Sequence, residues 1–341
     1  MSEVVFDKLQ LGLQTGTPTA PGAAVAATLV FPIDAGLIDP ELDRGYESPD
    51  EDYGMLSRHQ PGRGSYGLRA ANVPLTFVAR FEDLMRFLEM RLAGGITPTG
   101  TDPYTWTYTM DNTSDTCKVY TAEIGSETAS DQYVCSTCIV SDFEIGFDSL
   151  TAPGDHPWKV TATLQALNRA PQALTAALSA PSGMETIEGH LSTIYEGSTA
   201  TAFASLSELA NHLKQYRLKI SGARPYRAYG GSSDVSVGYG LMKPEVTIEA
   251  LVKVSTSSKT NIHDIYAASG AVAGERRWRI QASGSNSRVL RFDHRVRFDT
   301  VKREEVDGES CYRVNAHTVY DSALASSLQA VLINHITGPL T

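Results

Sequence analysis

Cys135 and Cys138 stand two residues apart in YVCSTCIVSDFEIGFDSL (133–150). A CxxC pair is a candidate for metal binding or for thiol–disulfide chemistry. A structural zinc site takes four ligands, normally from a second CxxC or two closely spaced histidines. Cys117 and Cys311 are isolated, and neither a second CxxC nor an HxxxH occurs. A thioredoxin-like pair sits at a helix N-terminus, which lowers a thiol pKa, whereas this pair runs into strand-like alternation. In an extended chain, residues i and i+3 point to opposite faces. The two thiols are therefore expected on opposite sides of a sheet, unable to converge.

Other candidate chemistry is thinner. Asp50-x-Asp52-x-Gly54 resembles the start of a calcium loop, but the glycine comes one position early and Pro61 stands where the bidentate Glu belongs. Asn112-Thr113-Ser114 matches a glycosylation sequon by chance spacing. GxSxG, HExxH, GxxxxGK[ST] and a strand-linked GxGxxG are all missing, and the eight histidines are scattered. No set of residues stands out as catalytic, and neither a metal nor a cofactor is expected.

The bulk properties narrow the class. The 341 residues suit two domains of ordinary size. A net charge of −10 disfavours a protein built to grip phosphate backbones. No run approaches the roughly 18–20 apolar residues needed to span a bilayer, and MSEVVFDKLQLGLQ lacks the basic and apolar regions of a secretory signal. Folding in a cytosol, with reduced cysteines, is the expectation. Charge is unevenly spread: residues 1–200 carry 26 acids against 11 bases, and residues 201–341 carry 13 against 18. Unlike surfaces of this kind can meet when copies of a chain associate.

Residues 1–27 are rich in Thr, Pro, Gly and Ala and read as an arm without a core of its own. Strands are expected at Ala27–Ile33 and Val73–Ala79, separated by an acidic loop. In RFEDLMRFLEMRLAGG, Phe81, Leu84, Met85, Leu88 and Leu92 fall at helical spacing, and Gly94-Gly95 supplies the stop; the apolar stripe is expected to pack on a sheet. Aromatic and β-branched runs mark strands at Tyr104–Thr109, Lys118–Ile124, Tyr133–Asp148 and Trp158–Leu167. NRAPQALTAALSAPSG (168–183) reads as a linker. Further strands are expected at Glu188–Tyr195, Tyr216–Ser221, Pro244–Val254, Trp278–Ala282, Val289–Thr300, Cys311–Tyr320 and Leu328–Asn334. A short helix is expected over Asn261–Ala268, and a turn at Asp307-Gly308.

The halves repeat one order of events. PLTFVAR before a helix answers PEVTIEA before a helix, Phe147-Asp148 answers Phe298-Asp299, and WKVTAT answers YRVNAH, which suggests a duplicated module. Two long strands carry one apolar and one charged face. In the first, Phe143, Ile145 and Phe147 oppose Asp142, Glu144 and Asp148. In the second, Leu290, Phe292, Val296 and Phe298 oppose Arg291, Asp293, Arg295, Arg297 and Asp299. A densely charged face belongs to a sheet that is wetted on one side or meets another subunit.

The ordered set of QTGTPTAPG, the acidic loop, GLRAANVPLTFVARFEDLMRFLEMRLAG, DFEIGFDS…WKVTATLQAL, HLSTIYEG, YRLKISGARPY and PEVTIEALV spans most of the chain. It resembles the major tail tube proteins of long-tailed bacteriophages, in the version with two tube domains per chain. The resemblance implies a mainly β fold with short helices, in two tandem β-sandwich or half-barrel domains, each flanked by a helix. The arm would be 1–27, the domains 28–170 and 185–341, and the linker 171–184. It implies homotrimeric, pseudo-hexameric rings stacked into a tube in the virion tail, assembled in the host cytoplasm. DNA would cross an on-balance acidic lumen without specific binding. Partners would be further copies, a tape measure protein, and tail terminator and distal tail proteins, with no membrane insertion. Residues 1–27, 34–63 and 228–240 would stack against the next ring, with Asp39, Glu41, Asp43, Asp50, Glu51 and Asp52 as candidate contacts. The charged strand positions above would face the lumen or a neighbouring subunit. Alternatives are a neck, terminator or baseplate ring protein, a two-domain β-sandwich that binds glycans, and last an enzyme with a dispersed triad.

Overall fold

The computed structural model describes residues 7–31, 41–47, 65–95, 97–110, 116–126, 131–148, 156–179, 183–209, 212–222, 226–227, 238–240, 244–268 and 274–337. The chain is mainly β, with antiparallel pairing throughout and few short helices. The strands of the first half are β1 (Asp7–Leu13), β2 (Gly16–Thr17), β3 (Ala20–Pro21), β4 (Leu29–Phe31), β5 (Glu41–Glu47), β6 (Ser65–Val78), β7 (Ala93–Gly94), β8 (Tyr104–Thr109), β9 (Tyr120–Ser126), β10 (Gln132–Asp148), β11 (Lys159–Ala166) and β12 (Asn168–Pro171). Those of the second are β13 (Ser192–Gly197), β14 (Ser207–Leu209), β15 (Leu213–Ser221), β16 (Tyr226–Arg227), β17 (Gly238–Tyr239), β18 (Glu245–Lys253), β19 (Glu275–Ser283), β20 (Val289–Val306), β21 (Glu309–Val319) and β22 (Leu328–Asn334). Helix α1 is Leu84–Arg91, and a second helical segment joins α2 (Thr256–Ser258), a π turn (Lys259–His263) and α3 (Asp264–Ala267).

The pairings define one long sheet in the order β5–β6–β11–β10–β15–β18–β21–β20. Two further layers branch from its long strands: β4–β1–β9–β10–β12, and β14–β13–β19–β20–β22–β8–β7. The same connectivity therefore occurs twice. β9–β10–β11–β12 has its counterpart in β19–β20–β21–β22, β1 with β4 in β13 with β14, and β6 in β18.

Register shows which sequence matches are real. Val160 faces Phe77 and Val314 faces Ala250, while Ala162 faces Leu75 and Ala316 faces Ile248. WKVTAT and YRVNAH thus hold the same place, but Pro74 corresponds to Thr247, so the match of PLTFVAR to PEVTIEA is three residues out of step. Phe143 rather than Phe147 corresponds to Phe298, because each faces an alanine of the next strand, Ala162 or Ala316. An odd slip would turn every core side chain to the wrong face, so burial overrides residue identity.

Several segments depart from their sequence reading. Residues 7–13 of the expected arm form β1, which pairs with β4 and β9 and buries Leu9 and Leu11. The expected linker begins as β12, paired to β10. Residues 189–191 make a 3-10 turn ahead of β13, and the second helix starts five residues early, at Thr256, on a Ser255/Ser258 capping box. The tip at Asp307 (φ 51) and Gly308 (φ 75) has the two left-handed residues of a type I′ turn, as its sequence suggests.

One core cluster runs through both halves. The stretches expected as separate domains share its strands: β15 pairs with β10, and β8 of the first half extends the last layer through β22. Helix α1 does not lay a stripe on one sheet; all eight of its residues are buried. Its charges are met internally. Tyr120 donates to Glu89 at 2.6 Å and Arg86 reaches the Tyr120 hydroxyl at 3.2 Å, which offsets part of the cost of burying ions.

Candidate assembly surface

Cys135 and Cys138 both lie in the core, fully buried. A bulge between them breaks the alternation: Thr137 takes a left-handed φ of 57, and pairing with β9 skips from Cys135 to Cys138. The bulge carbonyl turns toward Tyr239, whose hydroxyl lies 2.7 Å from it. The expectation of opposite faces is therefore wrong. Both side chains point into the core, and Cys138 Sγ donates to the Cys135 backbone carbonyl at 3.2 Å. Burial pushes Cys135 up to about 12 and raises Cys138 well above its ordinary value, so both are neutral thiols, poor nucleophiles and poor ligands. Among the described residues no group of three His, Cys, Asp or Glu could hold a metal ion. Cys135→Ala with Cys138→Ala is expected to cost about 1–2 kcal/mol and to leave folding indifferent to chelators, checked by denaturant melts with and without EDTA.

The outer face of the long sheet is where charge is organised. Glu144 on β10 bridges Arg217 on β15 at 3.1 Å, and Arg217 approaches Glu249 on β18 at 3.8 Å. Glu249 meets Arg313 on β21 at 2.5 Å, and Arg313 meets Glu304 on β20 at 2.7 Å. The result is a ladder of alternating sign across five neighbouring strands. Each rung is partly exposed and individually worth little, but a network fixes register better than isolated pairs do. Beside it, Lys214 and Lys253 both bond Glu309, holding its carboxyl down to about 2. On this face the acids Asp142, Glu144, Asp148, Glu245, Glu249, Asp299 and Glu304 are nearly matched by Lys159, Arg217, Lys219, Arg297, Lys302 and Arg313. Shallow grooves of about 320 and 330 Å³ lie between the ladder residues, and the larger is lined by Glu144, Arg217, Lys219, Glu249 and Asp299.

The positions singled out in sequence meet different fates. Asp142, Glu144 and Asp148 do share the outer face, with Asp148 3.4 Å from Gln215 Nε2. Arg297 and Asp299 are exposed near the end of β20's pairing with β19, where Asp299 sits in a bulge, 2.7 Å from His317 Nδ1. Asp293 is not on an open face. It is only 1% exposed, clamped by Arg279 at 2.6 Å and Arg291 at 3.1 Å. Arg295 is likewise held by Glu275. Part of the cause lies on β19, whose Arg279 stands opposite Asp293 and closes over its carboxylate. Glu41 and Asp43 lie on β5; Asp39, Asp50, Glu51 and Asp52 lie outside the described residues.

Two features were missed in sequence. The first is the Arg217–Glu249–Arg313 part of the ladder, whose signal is the charge alternation in LKQYRLKIS and EVTIEALVK. The second is a clasp between the halves. Arg288, ahead of β20, donates to Glu82 at 2.6 Å, to Glu185 at 3.1 Å and to the Gly183 carbonyl at 3.2 Å. No sequence pattern links these residues.

Edges complete the surface. β10 is covered along its C-terminal half by β15, residues 143–148 facing 215–220. The corresponding half of β20 pairs with β21 alone among the described residues, since β19 ends opposite Arg297. A scan against protein-family models gives no match for this chain, and neither does a search of curated proteins.

Proposed function

We propose that the chain is a structural, self-assembling subunit whose copies join edge to edge into closed rings, and that the rings are those of a long-tailed phage tail tube. One observation carries this reading. The same strand order occurs twice, one copy's β10 edge is closed by β15 within the chain, and the matching edge on β20 is open among the described residues. An unpaired edge of this length is an aggregation hazard in a monomer and a joint in a ring. A head-to-tail joint that repeats the β10–β15 geometry is heterologous and closes when the rotation divides a full turn. Three chains of two modules each would make six similar wall segments, in keeping with the resemblance drawn from sequence.

The charged ladder suits a wall that DNA passes. Its acids and bases neutralise one another, so it offers phosphate neither a grip nor a strong barrier. That differs from the acidic lumen first expected: the chain's surplus of −10 does not sit on this face among the described residues. Tandem tube domains, stacking by the arm and loops, and contacts with a tape measure or terminator protein belong to the same proposal.

Negative-stain microscopy with mass photometry of purified protein tests it. Rings of three chains and their stacks are the expected result, and dispersed monomers at every concentration and salt would overturn it. Rings that never stack would instead assign the chain to a single-ring position at the neck, terminator or baseplate.

A further inference from the structure

We propose that the open face of the 256–267 helix is the seat for a second copy of this chain, docked through the first half of that copy. This rests on the ring reading above and adds to it a contact that lies away from the sheet edges.

The two helices hold equivalent places, α1 between β6 and β9 and the second segment between β18 and β19. Their surroundings differ. Helix α1 is buried on every side because the second half of the chain covers it. Asn334 Nδ2 donates to the Phe81 carbonyl at 2.9 Å, Arg288 clasps Glu82 at 2.6 Å, and Arg91 donates to the Gly222 carbonyl at 3.1 Å. The second helix buries only Ser258 and Ile262, and Tyr266 is 39% exposed. Its described contacts stay within its own half, such as the His263 ring stacked 5.6 Å from Tyr312.

In a ring, what covers α1 inside the chain has a counterpart between chains. The register identifies it. Cys138 faces Tyr120 as His294 faces Trp278, so Arg288, one residue ahead of β20, corresponds to Asp131, one residue ahead of β10. Asp131 is exposed. By the same correspondence (Ala79 with Val252, from their pairing to Trp158 and Tyr312) the Glu82 position falls at Ser255, beside Lys253 and Lys259. The charges are thus reversed at the second joint: a basic residue of the second half meets an acid inside the chain, and between chains an acid of the first half meets two lysines that also bond Glu309 and Asp264 of their own half. The acidic first 200 residues and the basic remainder fit that arrangement.

The test uses full-length chains. Asp131→Cys protein is mixed with Thr256→Cys protein and treated with a short bismaleimide; the four native cysteines are buried. A cross-linked dimer in the mixture, with only background in either protein alone, is expected. Tyr266→Asp should weaken self-association at least tenfold by mass photometry while leaving the circular dichroism and melting of the monomer unchanged. If unmodified protein forms rings, yet the mixture gives no cross-link and Tyr266→Asp assembles normally, the helix seat is wrong and the ring reading stands. If the unmodified protein forms no rings, both fall.

Discussion

His294→Leu should abolish most of the acid lability that this side chain contributes between about pH 6.5 and pH 3. His294 is fully buried in β20, opposite Trp278, with its ring stacked 6.4 Å from Tyr216. Among the described residues neither ring nitrogen has a hydrogen-bond partner, nor does the Tyr216 hydroxyl or Trp278 Nε1. Burial alone lowers its pKa from 6.5 to about 3. The unfolded chain therefore takes up a proton at this site below pH 6.5, and the folded chain does so only near pH 3. Folding loses about 1.4 kcal/mol for each pH unit in that window, on the order of 4 kcal/mol in all, and nothing above it. Asp83 works the other way. Burial raises it to about 6, so its carboxylate costs stability at neutral pH and that cost is relieved as pH falls through 6. The measurement is accordingly a difference: urea midpoints of wild type and His294→Leu from pH 7 to pH 3. The gap should widen in the variant's favour as pH falls, and parallel curves would show that His294 is not the acid-sensitive group. Removing two orphaned nitrogens should also leave the variant at least as stable at pH 7.

Arg288→Ala should destabilise the chain by about 3–5 kcal/mol, because it strands the Glu82 carboxylate, 7% exposed, without its cation. Among the described residues Glu82 would keep the backbone N–H of Glu185, at 2.9 Å. Arg288→Met with Glu82→Gln should recover much of the loss, since no buried charge is left uncompensated. The clasp ties helix α1 to the β19–β20 turn, so the single variant is expected to separate the unfolding of the halves. Tryptophan fluorescence and far-UV circular dichroism should then give non-coincident transitions. A loss under 1 kcal/mol, or a double variant no better than the single one, would contradict this account.

Much of the architecture was legible in the sequence. Aromatic and β-branched runs marked most of the long strands, because a pleated strand with one buried face must alternate; β1 and β5 were not among them. FEIGFD and VLRFDHRVRF alternate cleanly enough to assign their core faces residue by residue. The Asp307-Gly308 turn was equally plain, since few residues accept left-handed φ angles. What failed was local reading of register. The bulge at Thr137 inverts the alternation between the two cysteines, and the residue that bonds its carbonyl, Tyr239, lies more than a hundred residues away. The repeat was visible, but its phase was misread by three residues at PLTFVAR, because a proline can recur by chance while the parity of core residues cannot.

The charged positions divide in the same way. Sequence alone determined that β10 and β20 each carry a polar face, because alternation is a property of one strand. It could not determine that Asp293 is clamped shut while Glu144 is a rung of an open ladder. Those fates depend on which strand lies alongside: Arg279 of β19 in the one case, Arg217 of β15 in the other. Pairing of strands distant in the chain is decided by how the whole core closes, and no local pattern encodes it. The order β5–β6–β11–β10–β15–β18–β21–β20, and with it the open edge from which assembly is argued, was therefore settled only by the tertiary structure.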